Sequence, residues 1–433
     1  MKIKLGTAKA DITPPFPVPL AGYSNRRDVY DDVTRPLSVR VWLFDQPESD
    51  GGERRKALLV QADLIWWGSD HVHALKRNIQ DKWNIDPEYV FFHASHTHGG
   101  PQTTDQFSPL LGLMVTEYIR FLEQMLDQAI AEAHENVEAV TMEKGTGICE
   151  GIGINRRKIM DGTAVFAPNQ EGPNDNQVTV IRCLTADGRT KGLLFHFTCH
   201  PTTTSANLVN SEYCGVAMEL LDQSMGDGVS CFLQGCCGDI RPSLIREGQF
   251  YGGNDEDIQR AGAILSEAVE GILNKSMKKL EAARIEGWVA QAELPFRDIP
   301  LDRYMGESAQ GKEIVQVWKN MMDTEPSGKK DAVTLDVQLL KLAEGFALMG
   351  LSGEMVVDYG LWIKNRSAGH ILPLGYSNGM VGYVPTAIQI EEGGYEGVSS
   401  GYVFGYPAPF ASDVEARVKG AVGDLMNKMK QIE

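Results

Sequence analysis

Residues 89–101 read Tyr-Val-Phe-Phe-His-Ala-Ser-His-Thr-His-Gly-Gly-Pro, an apolar run that passes into a small, polar turn. Aromatic and β-branched residues in such a run predict a buried strand, and Gly-Gly-Pro predicts where it ends. In α/β proteins the loops that follow buried strands face a crevice and hold reactive groups. The stretch therefore predicts a strand that presents histidines to a site.

A second stretch repeats this layout. Residues 195–201 read Phe-His-Phe-Thr-Cys-His-Pro, so that His200 follows a predicted strand as His96 and His98 do. His196, on the strand itself, is interpreted as a core histidine with a satisfied ring. Three later phrases also carry polar groups in turns: Gly238-Asp-Ile-Arg-Pro242, Gly353-Glu354 and Tyr383-Val-Pro385. Taken singly, each of the three is an ordinary loop.

The spacing of His96 and His98 bears on their chemistry. They are two residues apart, and on an extended chain that spacing points both rings to the same side. Neutral imidazole suits Zn²⁺, and a rigid strand end fixes its direction. The pattern is also typical of hydrogen-bonded structural histidines. Metal binding and a structural role are therefore both open on this pattern alone.

Strands and helices alternate along the chain, and several neighbouring strands have the spacing of hairpins. The pattern predicts an α/β protein with mixed β-sheets flanked by helices, rather than a simple parallel barrel. The clearest helix is predicted at 115–133, where apolar residues recur at helical spacing. Because the candidate site residues come from both halves, residues 1–433 are expected to form a single catalytic domain.

The composition excludes several classes of function. Of the 433 residues, 42% are apolar and 23% are charged, as in ordinary globular proteins, and the formal net charge is −17. A field of that sign repels nucleic acid and anionic membranes, so no nucleic-acid partner is expected. No run of about 18 apolar residues is present, so stable membrane insertion is not expected either. The sequence has no export features, so we expect a cytoplasmic protein whose cysteines are reduced and buried. We also expect a small-molecule substrate, and association into a homo-oligomer stays open.

Taken in order, these phrases resemble the neutral/alkaline, non-lysosomal ceramidase family, in particular its N-terminal catalytic domain. Single phrases are common, but the ordered set is specific, and it identifies the chain as a divergent member of that family. The landmarks run from about residue 6 to 397: Gly6-Thr-Ala-Lys-Ala-Asp-Ile-Thr-Pro-Pro15, Ala21-Gly-Tyr23, Ser95-His-Thr-His-Gly-Gly-Pro101, Ile154-Asn-Arg156, Cys199-His-Pro-Thr202, Gly238-Asp-Ile-Arg-Pro242, Gly353-Glu354, and Tyr383 followed by Tyr395-Glu-Gly397.

The family consists of zinc-dependent amidases that cleave the amide between a fatty acid and sphingosine. The resemblance implies four zinc ligands: His96, His200, Glu354 and Tyr383. It also implies three further residues at the reacting centre, which hold the substrate carbonyl or the nucleophile: His98, Arg156 and Tyr395. Two imidazoles, a carboxylate and a phenol leave room for water on zinc, and such water attacks a carbonyl carbon.

The sequence departs from the family at one position of the site. The family's Gly-Asp-x-Ser-Pro loop carries a serine, whereas here Arg241 stands in that place and Ser243 lies two residues further on. Attack by zinc-bound water is therefore preferred over a serine acyl-enzyme. Arg241 is assigned to the catalytic set, where its donors are expected to bind a carboxylate, another anion or a polyhydroxylated group. The alternative is an internal ion pair with Asp239 or a neighbouring acid.

These observations predict a zinc-dependent hydrolase that cleaves a linear N-acyl amide bond. The chain ends soon after the tyrosine phrases, so the family's usual C-terminal β-sandwich is not expected. Together with the acidic surface, this predicts a substrate other than membrane ceramide. Two alternatives stay open: an ester or other acyl hydrolase on the same zinc site, and a catalytically silent small-molecule-binding protein.

Overall fold

The structure is a computed structural model that describes residues 3–47, 54–306, 311–324 and 331–431. In these ranges the strands are β1 (Ile3–Asp11), β2 (Asp32–Val33), β3 (Ser38–Gln46), β4 (Arg55–Ala62), β5 (Val90–Ala94), β6 (Glu138–Ile148), β7 (Gly153–Met160), β8 (Thr163–Asn169), β9 (Gln177–Thr185), β10 (Thr190–Phe197), β11 (Leu208–Val209), β12 (Val229–Gln234), β13 (Ile240–Pro242), β14 (Ile245–Arg246), β15 (Gln249–Phe250), β16 (Lys278–Lys279), β17 (Glu286–Pro295), β18 (Ala332–Ala343), β19 (Phe346–Leu351), β20 (Glu354–Met355), β21 (Ile371–Leu374) and β22 (Tyr383–Val384). The helices are α1 (Ser69–Trp83), α2 (Thr116–Glu135), α3 (Glu212–Met225), α4 (Asp255–Leu273), α5 (Leu301–Gly306), α6 (Lys312–Thr324), α7 (Val357–Arg366), α8 (Ala387–Glu392), α9 (Gly394–Gly397) and α10 (Val414–Lys430), with 3₁₀ turns at Pro87–Tyr89, Pro109–Leu111 and Ser399–Tyr402.

A mixed sheet forms the centre of the fold. Its strands lie in the order β12-β10-β9-β6-β1-β3-β4-β5, and β16 pairs with β6. The pairs β10–β12 and β4–β5 are parallel, and the pairs between them are antiparallel. Every residue of β3 and β5 is buried, as expected where both faces of a strand are covered. The predicted α/β class with mixed sheets is confirmed.

The carboxyl ends of β5, β10 and β12 converge, although β5 and β12 lie at opposite ends of the strand order. The backbone N–H of Gln234, at the end of β12, donates to Nε2 of His93 on β5 over 2.8 Å. His93 is fully buried, and its Nδ1 lies 2.9 Å from the Ser377 hydroxyl. The sheet is therefore curved, and the loops that follow these three strands face one another.

Helices cover the sheet. The helix α2 packs against β1 and β3, and the hydroxyl of its Tyr118 donates to the carbonyl of Ile12 over 2.9 Å. The apolar stripe predicted at 115–133 is the buried face of this helix. The helix α4 begins with a capping box between Asn254 and Asp257 and packs against α3.

Three smaller sheets complete the walls of the site. β17, β18, β19 and β21 form a second mixed sheet, and directly after β19 the short strand β20 pairs in parallel with β22. β13, β7 and β8 form a three-stranded antiparallel sheet. These short strands carry four of the predicted site residues: Arg156, Arg241, Glu354 and Tyr383.

The patterns in the sequence do not reveal β6 or the hairpin β7–β8. The first five residues of β7 are buried and its last three are exposed, while β8 has one buried residue and is otherwise exposed or half-buried. The hairpin therefore shows no alternation of buried and exposed residues with a period of two. The backbone pairing between β7 and β8 forms it, so the sequence pattern does not predict it.

A continuous hydrophobic core runs through the sheets and helices, beside a small second cluster of Tyr304, Trp318 and Tyr402. All seven cysteines are buried and unpaired, as predicted for reduced thiols. Among the described helices, none combines the length and the apolar character that a bilayer-spanning segment needs. The assignment of residues 1–433 to a single catalytic domain stays a prediction.

Candidate active site

Gln234 fixes the two histidine loops relative to each other. Its fully buried side-chain amide donates to the carbonyl of Ser95 over 3.1 Å and to the carbonyl of Cys199 over 2.8 Å. These two residues immediately precede His96 and His200. Sequence reasoning missed this role of Gln234. The signal that could have indicated it is a polar residue at the end of a mainly apolar strand.

His96 and His200 meet with their ring centroids 4.7 Å apart. Nδ1 of His96 donates to the carbonyl of Ile65 over 2.8 Å. Nδ1 of His200 donates to the carbonyls of Cys237 at 2.5 Å and Ile240 at 3.0 Å. Carbonyls only accept hydrogen bonds, so each Nδ1 carries the ring proton and each Nε2 keeps a lone pair. Both lone pairs are thereby free to bind a cation.

Glu354 and Tyr383 are direct partners in the pairing of β20 with β22, and both are buried. Oε2 of Glu354 lies 3.2 Å from Nε2 of His96 and 3.3 Å from Nε2 of His200. The Tyr383 hydroxyl lies 3.4 Å from the same Nε2 of His200. The four side chains implied as zinc ligands are therefore gathered in one place, and their role as ligands stays a prediction.

This set of donor atoms fits a divalent cation. Oε2 of Glu354 is buried and has no hydrogen-bond partner among the described residues. Burial by itself raises the pKa of Glu354, but the adjacent imidazoles of His96 and His200 hold that pKa below its usual range. Burial, followed by the charge of Arg156, lowers the pKa of His200 to about 4, so its ring is neutral at pH 7. An ionised carboxylate beside imidazole lone pairs is typical of a zinc site.

His98 brings a third imidazole to the centre. One ligand nitrogen from each of His96, His98 and His200 lies within 4.8 Å of the others, and Nε2 of His98 is 3.3 Å from Nε2 of His96. Nδ1 of His98 is buried and has no hydrogen-bond partner in the described part of the chain, and its ring lies 4.8 Å from that of Tyr23. His96 has a φ of +67°, so the expectation that these histidines lie on extended chain is wrong. A turn brings their rings to 4.9 Å from each other.

Arg156, on β7, directs a positive charge at this centre. Its Nη2 donates to the Tyr383 hydroxyl over 3.1 Å, and its Nε donates to the Glu396 carboxylate over 2.7 Å. Arg157 donates to the other oxygen of Glu396 over 2.8 Å. The buried Glu396 therefore compensates two buried guanidinium groups. Sequence reasoning placed Glu396 in a landmark phrase but gave it no role.

Two further tyrosines line the centre. The ring of Tyr395 is partly buried and lies 5.1 Å from that of Tyr383, with the Arg156 guanidinium 5.6 Å from its centroid. The ring of Tyr376 stacks on His96 at 3.9 Å. Tyr395 thus lies beside the centre, and its role there stays a prediction, whereas sequence reasoning assigned no role to Tyr376.

Arg241 does not pair with Asp239. The Asp239 carboxylate is fully buried and accepts a hydrogen bond from the backbone N–H of Val357 over 2.8 Å. The Arg241 guanidinium lies instead against two rings, 4.3 Å from the centroid of Phe250 and 5.3 Å from that of Phe166. In the part of the chain that the structure describes, the alternative of an internal ion pair is therefore not found.

Comparisons with known proteins identify relatives of this chain. Among curated proteins, the neutral ceramidase of Pseudomonas aeruginosa is 23% identical in an alignment 470 positions long, and the alignment covers 92% of this chain and 69% of that protein. The crystal structure of neutral ceramidase from Pseudomonas aeruginosa superposes with a TM-score of 0.72 at 18% identity, covering 94% of this chain and 73% of that one. A structure described as ceramidase complexed with C2 gives a TM-score of 0.73 at 16% identity, covering 96% of this chain and 73% of that one.

At such identities the two superpositions establish the fold alone. A family model described as neutral/alkaline non-lysosomal ceramidase, N-terminal, matches residues 3–254. Because that match covers more than half of the chain, the protein belongs to the neutral/alkaline non-lysosomal ceramidase family.

Proposed function

We propose that the protein is a zinc-dependent hydrolase that cleaves a linear N-acyl amide bond. The proposal depends on one observation: Oε2 of Glu354 lies 3.2 Å and 3.3 Å from the Nε2 atoms of His96 and His200. Because both Nδ1 atoms are committed to carbonyls, these three atoms form a ready set of metal ligands. Membership of a ceramidase family supports an amide as the bond that is cleaved.

His98 is the residue placed to move a proton. When bound, the metal supplies a Lewis acid that polarises a carbonyl oxygen and makes water more acidic. Burial, reinforced by the imidazoles of His96 and His200, lowers the pKa of His98 well below its usual value. A neutral imidazole at pH 7 accepts the proton of the attacking water at Nε2 and returns it to the leaving amine.

Arg156 offsets the negative charge that develops on the carbonyl oxygen. Its position is fixed before the reaction, because Glu396 holds Nε while Nη2 reaches the Tyr383 hydroxyl. A charge that is already oriented costs no reorganisation when the oxyanion forms. Tyr395, against the same guanidinium, orients the substrate beside the centre.

Metal analysis tests this function. We expect one zinc per wild-type chain, and hydrolysis of N-acyl amides that stops when the metal is chelated and returns when zinc is added. His96→Ala and Glu354→Ala should lose both metal and activity. His71→Ala, on the partly exposed first turn of α1, is the control and should keep both. A natively folded wild type that takes up no metal contradicts the proposal.

Two other functions are distinguished in the same assays. Metal-dependent cleavage of esters without cleavage of amides would indicate an ester or other acyl hydrolase, since the same chemistry attacks both bonds. Binding of small molecules without turnover would indicate a catalytically silent protein, which the presence of Arg241 in place of the family's serine favours.

Three further expectations belong to this proposal: cytoplasmic residence, a possible homo-oligomer and a substrate other than membrane ceramide. The net charge of −17 supports the last of these, because it opposes approach to an anionic membrane surface. Size-exclusion chromatography with light scattering tests the oligomeric state.

A further inference from the structure

Arg241 and Arg156 lie on adjacent strands of the three-stranded sheet. Arg241 on β13 is opposite Ile154 on β7, two residues before Arg156. The ring of Phe166 contacts both, with its centroid 5.3 Å from each guanidinium carbon. Arg241 is therefore a neighbour of the guanidinium that binds the Tyr383 hydroxyl.

The charge of Arg241 has no counter-charge in the described residues. Arg156 is paired with Glu396, whereas no described carboxylate lies within salt-bridge distance of Arg241. Nε of Arg241 is buried and has no hydrogen-bond partner there. Asp239 is the acid nearest in sequence, but burial raises its pKa to about 7 and its oxygens are bonded elsewhere. A half-buried cation in this state is stabilised when a ligand supplies the missing anion.

Two aromatic rings form the surface beside the Arg241 guanidinium, where such a ligand would bind. The rings of Phe166 and Phe250 contact each other at 5.7 Å and lie against the Arg241 guanidinium. The apolar surface weakens screening by water, so a charge pair formed there is stronger than one in open solvent. Phe166 is 53% exposed, so the position opens to the outside of the molecule. The planar fork of a guanidinium matches a carboxylate with two parallel hydrogen bonds.

We propose that the substrate is an N-acyl amide that carries a carboxylate, and that Arg241 binds this carboxylate while the amide lies at the metal centre. The inference rests on the proposed function and adds the chemical class of its substrate. An uncharged amide leaves Arg241 unpaired, so it is the poorer substrate. Because the chain as a whole carries a charge of −17, a local cation is what makes an anionic substrate acceptable.

Two amides with the same acyl chain test this directly: an N-acylglycine, which ends in a carboxylate, and an N-acylethanolamine, which has a hydroxyl in its place. For the zinc-loaded wild type we expect kcat/KM to be about 10- to 100-fold higher for the N-acylglycine. Arg241→Met should abolish that preference, mainly through a higher KM for the N-acylglycine. Arg246→Met is the control, because Arg246 is exposed on β14 with its guanidinium against Tyr251. Equal kcat/KM values in the wild type, or an unchanged preference in Arg241→Met, overturn the proposal.

Binding separates this inference from the proposed function. If neither amide is hydrolysed, the proposed hydrolase is wrong, and calorimetric titration with N-acylglycine still tests Arg241. Binding that Arg241→Met loses and Arg246→Met keeps supports a carboxylate site. Absence of binding, or equal binding of both amides to the wild type, overturns it, as does tighter binding of an N-acyl aminomethylphosphonate. Thermal unfolding of the variants checks that each is folded.

Discussion

Arg156 and Arg241 occupy two regions of one small sheet that differ in how charge is balanced. In the inner region, Arg156 is buried, paired with Glu396 and bonded to Tyr383. In the outer region, Arg241 is half-buried against Phe166 and has no acidic partner in the described residues. Two arginines on adjacent strands thus differ: the described residues supply a counter-charge to Arg156 and none to Arg241.

The difference indicates which contacts belong to the free protein and which await a ligand. A buried ion pair fixes the geometry of its side chains but requires their desolvation. Glu396 offsets this desolvation by pairing with both Arg156 and Arg157. An uncompensated guanidinium keeps its hydrogen-bonding capacity for an incoming anion. We therefore read the inner region as machinery for the reaction and the outer region as a site of substrate selection.

The largest effect is expected at the inner region. Arg156→Met removes the preorganised positive charge and should lower kcat about 100- to 1000-fold while the metal is retained. Arg157→Met breaks comparable ion pairs with Glu396 and Glu392 but leaves Arg156 on the Tyr383 hydroxyl, so it should lower stability far more than kcat. Steady-state kinetics and metal analysis of both variants give the answer. Equal losses of kcat would mean that Arg156 acts only as a structural partner of Glu396.

A smaller effect is expected from crowding His98 without changing it. A Cβ added at Gly22 would lie 2.2 Å from Nδ1 of His98, so Gly22→Ala should displace the imidazole and lower kcat about 100-fold. Gly22 also has a φ of +98°, so alanine brings backbone strain. Gly151→Ala is the control, because Gly151 has a φ of +86° and nothing within 4 Å of the added atom.

Metal analysis of Gly22→Ala also decides the role of His98. Retention of zinc with loss of turnover assigns His98 to proton transfer. Loss of zinc as well makes His98 a metal ligand, which its place among the three converging imidazoles allows. Full activity would remove His98 from the mechanism.

The smallest effect is expected at Gln234, which supports the loops that carry His96 and His200. Gln234→Met keeps the shape of the side chain but frees the carbonyls of Ser95 and Cys199, so the histidine loops loosen and zinc affinity should drop about 10- to 100-fold. Gln46→Met is the matched control, since Gln46 is equally a buried glutamine that donates to a backbone carbonyl, that of Ala283, over 2.7 Å. Competition with a zinc chelator measures the affinity. A similar change in both variants would point to a general loss of stability.

Local patterns were sufficient for part of this structure. Apolar runs such as that before His96 gave the central strands, and helical spacing gave α2, because both depend on neighbours in sequence. The same reasoning expected His96 on extended chain, which is wrong, because His96 itself adopts a positive φ in the turn directly after β5, and strand alternation does not anticipate such a turn. It also passed over the hairpin β7–β8, whose exposed half has no regular alternation.

The sequence by itself determined the mixed α/β class, the histidine turns at strand ends and the ordered phrases that mark the family. Only the tertiary structure decided that Glu354 pairs with Tyr383 and that Gln234 holds both histidine loops. It also decided that Arg241 forms no ion pair with Asp239, whose carboxylate accepts a backbone hydrogen bond instead. These outcomes depend on which strands pair and which way each side chain points after the chain has curved. Local composition does not encode such contacts, because they form between segments that lie far apart along the chain.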